Sequence, residues 1–168
     1  MLSAASTDSA SEERVQPEIV IRRACEKDLP SLIAIFAEDA VGGHGDTTEV
    51  EVFGDYLRAF QEIEASEREQ LLVAELGGEV VGTFQIVFNR TLTGRGGLNM
   101  TLEAVQTRQD VRGQGIGATM VGHAVREARL RGCRFVQLTS NASRIDAHRF
   151  YERLGFAKSH VGFKLKLK

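Results

Sequence analysis

The stretch Arg112-Gly113-Gln114-Gly115-Ile116-Gly117 places three glycines at the start of an amphipathic helical pattern that runs to Arg131. Glycine lets a backbone come close to a ligand. The first turn of a helix adds unpaired N–H groups at the positive end of its dipole, so the chemistry this spacing serves is phosphate binding. An ordinary tight turn into a helix has the same composition, and the hexapeptide alone does not choose between the two. Its surroundings exclude two nucleotide readings. A mononucleotide phosphate loop needs Lys and then Ser or Thr after its last glycine, whereas Gly117 is followed by Ala118 and Thr119. A dinucleotide fingerprint is formally met by Gly113, Gly115 and Ala118, but it requires an acidic residue about twenty positions later to hold a ribose. Leu138-Thr139-Ser140-Asn141 supplies none.

The elements that must position this loop follow from periodicity. Ile19–Arg22 reads as a strand, and Asp28-Leu29-Pro30 opens a helix, with Asp28 as its N-cap and Leu32, Ile33, Ile35 and Phe36 on its apolar face. After a glycine-rich loop over Val41–Asp46, a second helix is expected from about Glu49 to Ser66. Leu71–Leu76 and Val80–Phe88 form a hairpin, because Gly77-Gly78 supplies the positive φ angles of a two-residue turn. Leu92–Gly97 is another loop, and Leu98–Thr107 is a strand leading into the glycine stretch. In the helix that follows, Ile116, Met120, Ala124 and Ala128, with Val121 and Val125, make one broad face, which Gly132 ends. Phe135–Thr139 is a further strand, and a short helix from about Asp146 stops at Gly155. The alternation of Val161–Lys168 predicts a last strand with one wet face. Strands and helices interleave, with hairpins among them. The expected architecture is α/β in the α+β sense: a mixed, mostly antiparallel sheet of six to seven strands with helices on both faces.

Composition narrows the function classes. The chain has 168 residues, 42% apolar and 26% charged, with a net charge of −2. That suits a single domain, read here as residues 18–168 behind a small, polar, acidic N-terminal tail over 1–17 that is expected to be disordered. The charge balance gives no reason to expect nucleic acid as a partner, and no apolar run approaches the ~20 residues that span a bilayer. Two cysteines, Cys25 and Cys133, suggest no disulfide framework, so a cytoplasmic location is expected, with both thiols packed as small apolar groups.

The glycine stretch, preceded by the strand LEAVQT and followed by a helix, resembles the coenzyme A pyrophosphate signature R/Q-x-x-G-x-G/A of the GNAT superfamily of N-acetyltransferases. The resemblance extends over about 150 residues of the sequence. IVIRRACEKDLPSLIAI looks like that family's first strand and helix, the Gly-Gly hairpin like its second and third strands, and SRIDAHRFYERLGFAKSHVGFKLKL like its last helix and strands. The C-terminal part is similar to aminoalkylphosphonate N-acetyltransferases. The resemblance implies a GNAT-like fold and acetyl-CoA as co-substrate, with no metal. It further implies direct transfer of acetyl to a primary amine of a small molecule within a ternary complex, and a homodimer.

Acetyl transfer from a thioester needs an anchored cofactor, a polarised carbonyl, a deprotonated amine and a proton for the thiolate. By resemblance, the amides of Gly113, Gln114, Gly115, Ile116, Gly117 and Ala118 hold the pyrophosphate, with Arg112 adding charge. Val105, Gln106 and Thr107 offer strand-edge hydrogen bonds to the pantetheine arm, and a backbone N–H there stabilises the oxyanion. Tyr151 matches the family's general acid. It also lies on the apolar stripe of its helix, and a tyrosine can pack its ring while presenting its hydroxyl. For the base, Glu103 stands on the strand entering the loop. Strand alternation gives it the same face as Val105 and Thr107, and apolar Leu102 and Ala104 flank it. Pairing with an arginine across the sheet is the equally weighted structural alternative. Many relatives carry an asparagine seven residues before the tyrosine. Here that place is Arg144, and Asn141 lies three residues earlier, so Asn141 is taken as the cofactor contact, with Ser143 as the alternative. His148 and His44 are weaker candidates for substrate contact. The rival function is a non-catalytic acyl-CoA-binding module, which would keep the loop and dispense with acid and base.

Overall fold

The computed structural model describes residues 18–39 and 45–167. The tail expected over 1–17, most of the Val41–Asp46 loop with His44, and Lys168 lie outside the described residues.

Two glycines close the central hairpin. Gly77 and Gly78 have φ of 60° and 88°, the left-handed pair that a two-residue turn matched to strand twist requires. They join β2 (Glu69–Leu76) to β3 (Glu79–Arg90) with Leu76 opposite Glu79. β1 (Ile19–Arg23) lies antiparallel to β2, and β4 (Leu98–Thr107) antiparallel to β3. β5 (Val136–Gln137) joins β4 in parallel, so the order is β1-β2-β3-β4-β5.

Adjacent residues of β2 point into different cores, which places helices on both faces. Leu72 and Ala74 join the cluster beneath α3 (Ile116–Leu130), with Phe84, Met100, Leu102, Ile116 and Met120. Val73 joins the other cluster, beneath α1 (Leu29–Ala37) and α2 (Phe53–Ala65), with Leu32, Ile33 and Phe60. The buried residues of α3 are the expected stripe, Ile116, Met120, Val121, Ala124 and Ala128. Gly132 then takes φ 68°, and the N–H of Cys133 reaches back to the Ala128 carbonyl at 2.8 Å, a Schellman stop. α4 (Ile145–Arg153) ends the same way, with Gly155 at φ 91° and the Phe156 N–H on the Tyr151 carbonyl at 3.1 Å.

Three expectations need correction. Asp28 does not cap α1 with its side chain. Its carboxylate instead accepts from the Cys25 N–H at 2.8 Å and from both terminal nitrogens of Arg22, tying a 3-10 turn over Glu26–Asp28 to β1. The second helix starts at Phe53, after a 3-10 turn over Val50–Val52. The sheet has five strands among the described residues, not six to seven. Only Val136 and Gln137 of the expected Phe135–Thr139 strand pair with β4, and Val161–Leu167 forms no strand. Alternation specifies a strand only where a neighbouring edge and a covering layer exist. Among the described residues nothing supplies either to Val161, Phe163, Leu165 and Leu167, which stand 79–95% exposed.

Candidate active site

β4 carries a bulge that shapes the site. Thr83 opposes Gln106 while Gln85 opposes Glu103, so β4 spends one residue more than β3, and Ala104 sits at φ 49°, the left-handed region an alanine rarely adopts. The extra residue reverses which way the backbone points. The Met100 N–H bonds toward β5, on the Phe135 carbonyl at 3.1 Å, whereas the Arg108 N–H bonds toward β3, on the Val81 carbonyl at 2.9 Å. Positions eight apart would point the same way in a regular strand. After the bulge it is therefore Val105 and Thr107 that turn their backbone groups away from β3. Among the described residues no strand meets them there, because β4 and β5 pair only at Met100–Val136 and Thr101–Gln137. The two strands part beyond that point and leave an open edge.

The bulge also redistributes side chains. Leu102 and Val105 both pack into the cluster under α3, while Gln106 reaches the α1 side, where its amide nitrogen lies 3.4 Å from Asp39 Oδ2. Glu103 lies opposite Gln85, which is in register with Leu71 of the α1–α2 cluster. Glu103 thus shares a face with Gln106, not with Val105 and Thr107. It is solvent-exposed, so the apolar enclosure expected from Leu102 and Ala104 is not built.

At the end of β4 the chain turns through a 3-10 segment, Gln109–Val111, into the glycine loop. Gly113 and Gly115 both adopt φ 83°, with open space where a side chain would stand. Arg112, Gly113, Gln114 and Gly115 are exposed, whereas Ile116 is buried and seats the helix. The first helical bond runs from the Thr119 N–H to the Gly115 carbonyl at 3.0 Å, so the amides of Ile116, Gly117 and Ala118 face outward without intrahelical partners. No acidic residue lies in that first turn. Arg112 Nε donates to the Thr107 carbonyl at 3.1 Å, tying the loop to the end of the open edge. Gly117 is small because of packing: a Cβ there would stand 3.2 Å from Phe150 Cζ.

Tyr151 approaches the same region from α4. Its ring stacks edge-on between Phe150, at 5.1 Å, and Phe156, at 5.8 Å, and packs on the cluster under α3. Among the described residues the hydroxyl has no protein hydrogen-bond partner, yet it is not a sealed orphan; Asn99 Oδ1 is the atom in that position. The ring is therefore held and the oxygen open. Burial raises the Tyr151 pKa above its ordinary value, with the Arg144 charge opposing, so the group keeps its proton at neutral pH.

Asn141 serves the start of α4. Its Oδ1 accepts from the Ser143 N–H at 3.0 Å and hydroxyl at 2.9 Å, and its carbonyl meets His148 Nε2 at 2.9 Å. Arg144, in the place where asparagine was expected, spans the gap to pair with both carboxylate oxygens of Asp39 at the end of α1. Sequence reasoning missed Asp39. The signal was the unexplained cation at 144, which needs an acid near it. Among the described residues, no group of three or more His, Cys, Asp or Glu could hold a metal, and no helix is long and apolar enough to cross a membrane.

A mixed sheet whose fourth and fifth strands splay beside a glycine loop and helix N-terminus defines the acyl-CoA acetyltransferase class of fold. The chain belongs to the Acetyltransferase (GNAT) family, whose model matches residues 29–156. It is 37% identical over 86 residues to an aminoalkylphosphonate N-acetyltransferase of Salmonella typhimurium; the match covers 51% of this chain and 55% of that protein, about half the length of each. A crystal structure described as a transcriptional regulator from Bacillus halodurans C-125 superimposes with a TM-score of 0.86 at 41% identity, covering 89% of this chain and all of that one. At 16% identity the fold alone is shared with an aminoglycoside N-acetyltransferase, AAC(6')-Iy, solved in complex with CoA: the TM-score is 0.73, over 92% of this chain and 99% of that one.

Proposed function

We propose that this chain transfers an acetyl group from acetyl-CoA to a primary amine of a small molecule, by direct attack in a ternary complex. The observation that carries the reading is the open edge of β4, with the glycine loop at its end. Membership of the family supports it, as do a relative that acetylates aminoalkylphosphonates and a fold neighbour solved with CoA.

The residues fit the cofactor. The outward amides of Ile116, Gly117 and Ala118, the exposed backbone of Gly113 to Gly115 and the cationic Arg112 suit a pyrophosphate. Val105 and Thr107 present the N–H and C=O groups that an extended pantetheine amide chain pairs with, in the manner of an added strand. Gln106 contributes through its side chain, on the acceptor side. The Asn141 carbonyl oxygen is committed to the α4 turn, which leaves its amide N–H₂ for the cofactor. When bound, acetyl-CoA supplies an activated carbonyl and a thiolate leaving group. A β4 backbone N–H polarises the carbonyl, and Tyr151 Oη holds the proton that the thiolate takes. Glu103, on the face shared with Gln106, removes the ammonium proton through water. An alkylammonium has a pKa of ~10, so this deprotonation must precede attack on the carbonyl.

A cysteinyl intermediate is not used. Cys133 is half-buried with its thiol pKa pushed up by that burial, and Cys25, exposed rather than packed as expected, lies in the β1–α1 connection. The unpaired thiols suit a cytoplasmic setting, and the exposed row Val161, Phe163, Leu165 and Leu167 suits burial in a homodimer.

The test is calorimetry with acetyl-CoA, NAD and ATP, followed by thiol release with aminoglycosides, amino acids and aminoalkylphosphonates. Binding of acetyl-CoA alone and turnover with at least one amine are expected. NAD binding without acetyl-CoA binding would overturn the assignment, and acetyl-CoA binding without turnover on any amine would favour a binding module.

A further inference from the structure

Asp39 and Arg144 are 105 positions apart in sequence, yet they meet across the gap between β4 and β5, joining the end of α1 to the start of α4. Gln106, one residue from the open β4 edge, is the third member through Asp39. Their side chains are 30% exposed for Arg144 and 14% for Asp39, so solvent, and hence a ligand, reaches the pair from the arginine side. Arg144 also lies close enough to Tyr151 for its charge to act on the hydroxyl. The pair thus lies beside β4, through Gln106, and within reach of Tyr151, the proposed general acid.

We propose that Arg144 and Asp39 form the acceptor-recognition site and select a small zwitterion, a primary amine bearing a compact anionic group such as phosphonate or carboxylate. This rests on the acetyltransferase reading above and adds to it the class of acceptor and the residues that choose it.

A plain amine that takes Asp39 from Arg144 leaves a half-buried guanidinium uncompensated. A zwitterion replaces one ion pair with two: its ammonium lies against Asp39, and its anion receives the fork of Arg144 N–H donors. A planar guanidinium suits both phosphonate and carboxylate oxygens, because each offers two acceptors at matching spacing. Before the acceptor arrives, Asp39 keeps the fork extended across the gap, so little side-chain entropy is lost on binding. Gln106 steadies Asp39 from β4. The bound ammonium is then held on the face that carries Glu103, the proposed base. A pair that merely strapped α1 to α4 would hold the fold and leave acceptor choice untouched.

The experiment compares kcat and KM of the full chain for 2-aminoethylphosphonate, β-alanine and propylamine, with acetyl-CoA binding measured separately by calorimetry. The intact protein should prefer the two acid-bearing amines to propylamine by roughly tenfold to a hundredfold in kcat/KM, the range for one charge-assisted contact that solvent partly reaches. The ratio between 2-aminoethylphosphonate and β-alanine tells which anion the site favours. Arg144→Gln should erase the preference, mainly by raising KM for the acid-bearing amines, while propylamine turnover does not fall in parallel. Arg144→Lys, which keeps the charge but not the fork, should restore part of it. Equal use of propylamine by the intact protein would overturn the proposal without any variant, as would an Arg144→Gln enzyme that keeps the preference. Should both variants fail to fold, the ratio in the intact protein still decides. Turnover of other amines with no preference for acids leaves the acetyltransferase reading standing and removes this one. Loss of acetyl-CoA binding in the intact protein removes both.

Discussion

Replacing Tyr151 by Phe removes one oxygen from a ring whose contacts are all made by carbon. The ring stays between Phe150 and Phe156, and the Tyr151 carbonyl still receives the Phe156 N–H that closes α4. Since the hydroxyl has no protein partner among the described residues, no hydrogen bond is lost, and stability should change by less than about 0.5 kcal/mol. Acetyl-CoA affinity should hold as well, because the glycine loop is untouched. Turnover should fall by roughly 10²–10⁴-fold, the contribution of a positioned general acid, which corresponds to about 3–5 kcal/mol of barrier. The pH profile gives an independent check. Burial holds the Tyr151 pKa above its ordinary value of ~10, so kcat in the intact enzyme should stay level through neutral pH and decline only in strong alkali as the acid ionises. In the Tyr151→Phe enzyme that alkaline decline should vanish along with most of the rate. Thiol-release kinetics from pH 7 to 11, beside thermal melts, make the measurement. A Tyr151→Phe protein with unchanged turnover would refute the reasoning; the hydroxyl would then be an incidental feature of a packed ring.

Gly115→Val forces a β-branched residue to φ 83° with no side chain nearby to crowd it, so the loss is one of backbone conformation, about 1–3 kcal/mol of local strain. Calorimetry should show weakened acetyl-CoA binding by a protein that still melts cooperatively, and normal affinity would reduce the loop to a plain turn. Arg22→Met removes two hydrogen bonds, of 2.7 and 2.9 Å, from the buried Asp28 carboxylate and should cost about 1–3 kcal/mol at pH 7 by urea unfolding. Arg22 chiefly holds the Asp28 pKa below its ordinary value. The stabilisation is therefore present above pH ~4 and is lost as pH falls through the depressed value, so the gap between intact and variant protein should close in acid. A gap that ignores pH would remove the ion pair from the account.

Much of this fold was legible in local pattern because local physics decides it. The Gly77-Gly78 turn, the apolar stripe Ile116–Ala128 and the glycine stops at 132 and 155 each depend on neighbours within a few positions. The positive φ of Gly113 and Gly115 belongs to the same group: three glycines at a helix mouth already imply exposed amides. Order along the chain then made the family recognisable. The one-residue bulge at Ala104 was not legible, because an alanine in a strand carries no mark of φ 49°; the strand-to-strand register imposes it. That single residue decides that Val105 and Thr107 open toward the gap and that Glu103 goes to the opposite face from the one alternation assigns. The Arg144–Asp39 pair joins residues more than a hundred positions apart, and only packing of α1 and α4 around the splayed strands could bring them together. Val161–Leu167 shows the limit from the other side. Its alternation states how a strand would face, but a strand exists only where a second edge accepts its hydrogen bonds, and within one chain β5 is two residues long.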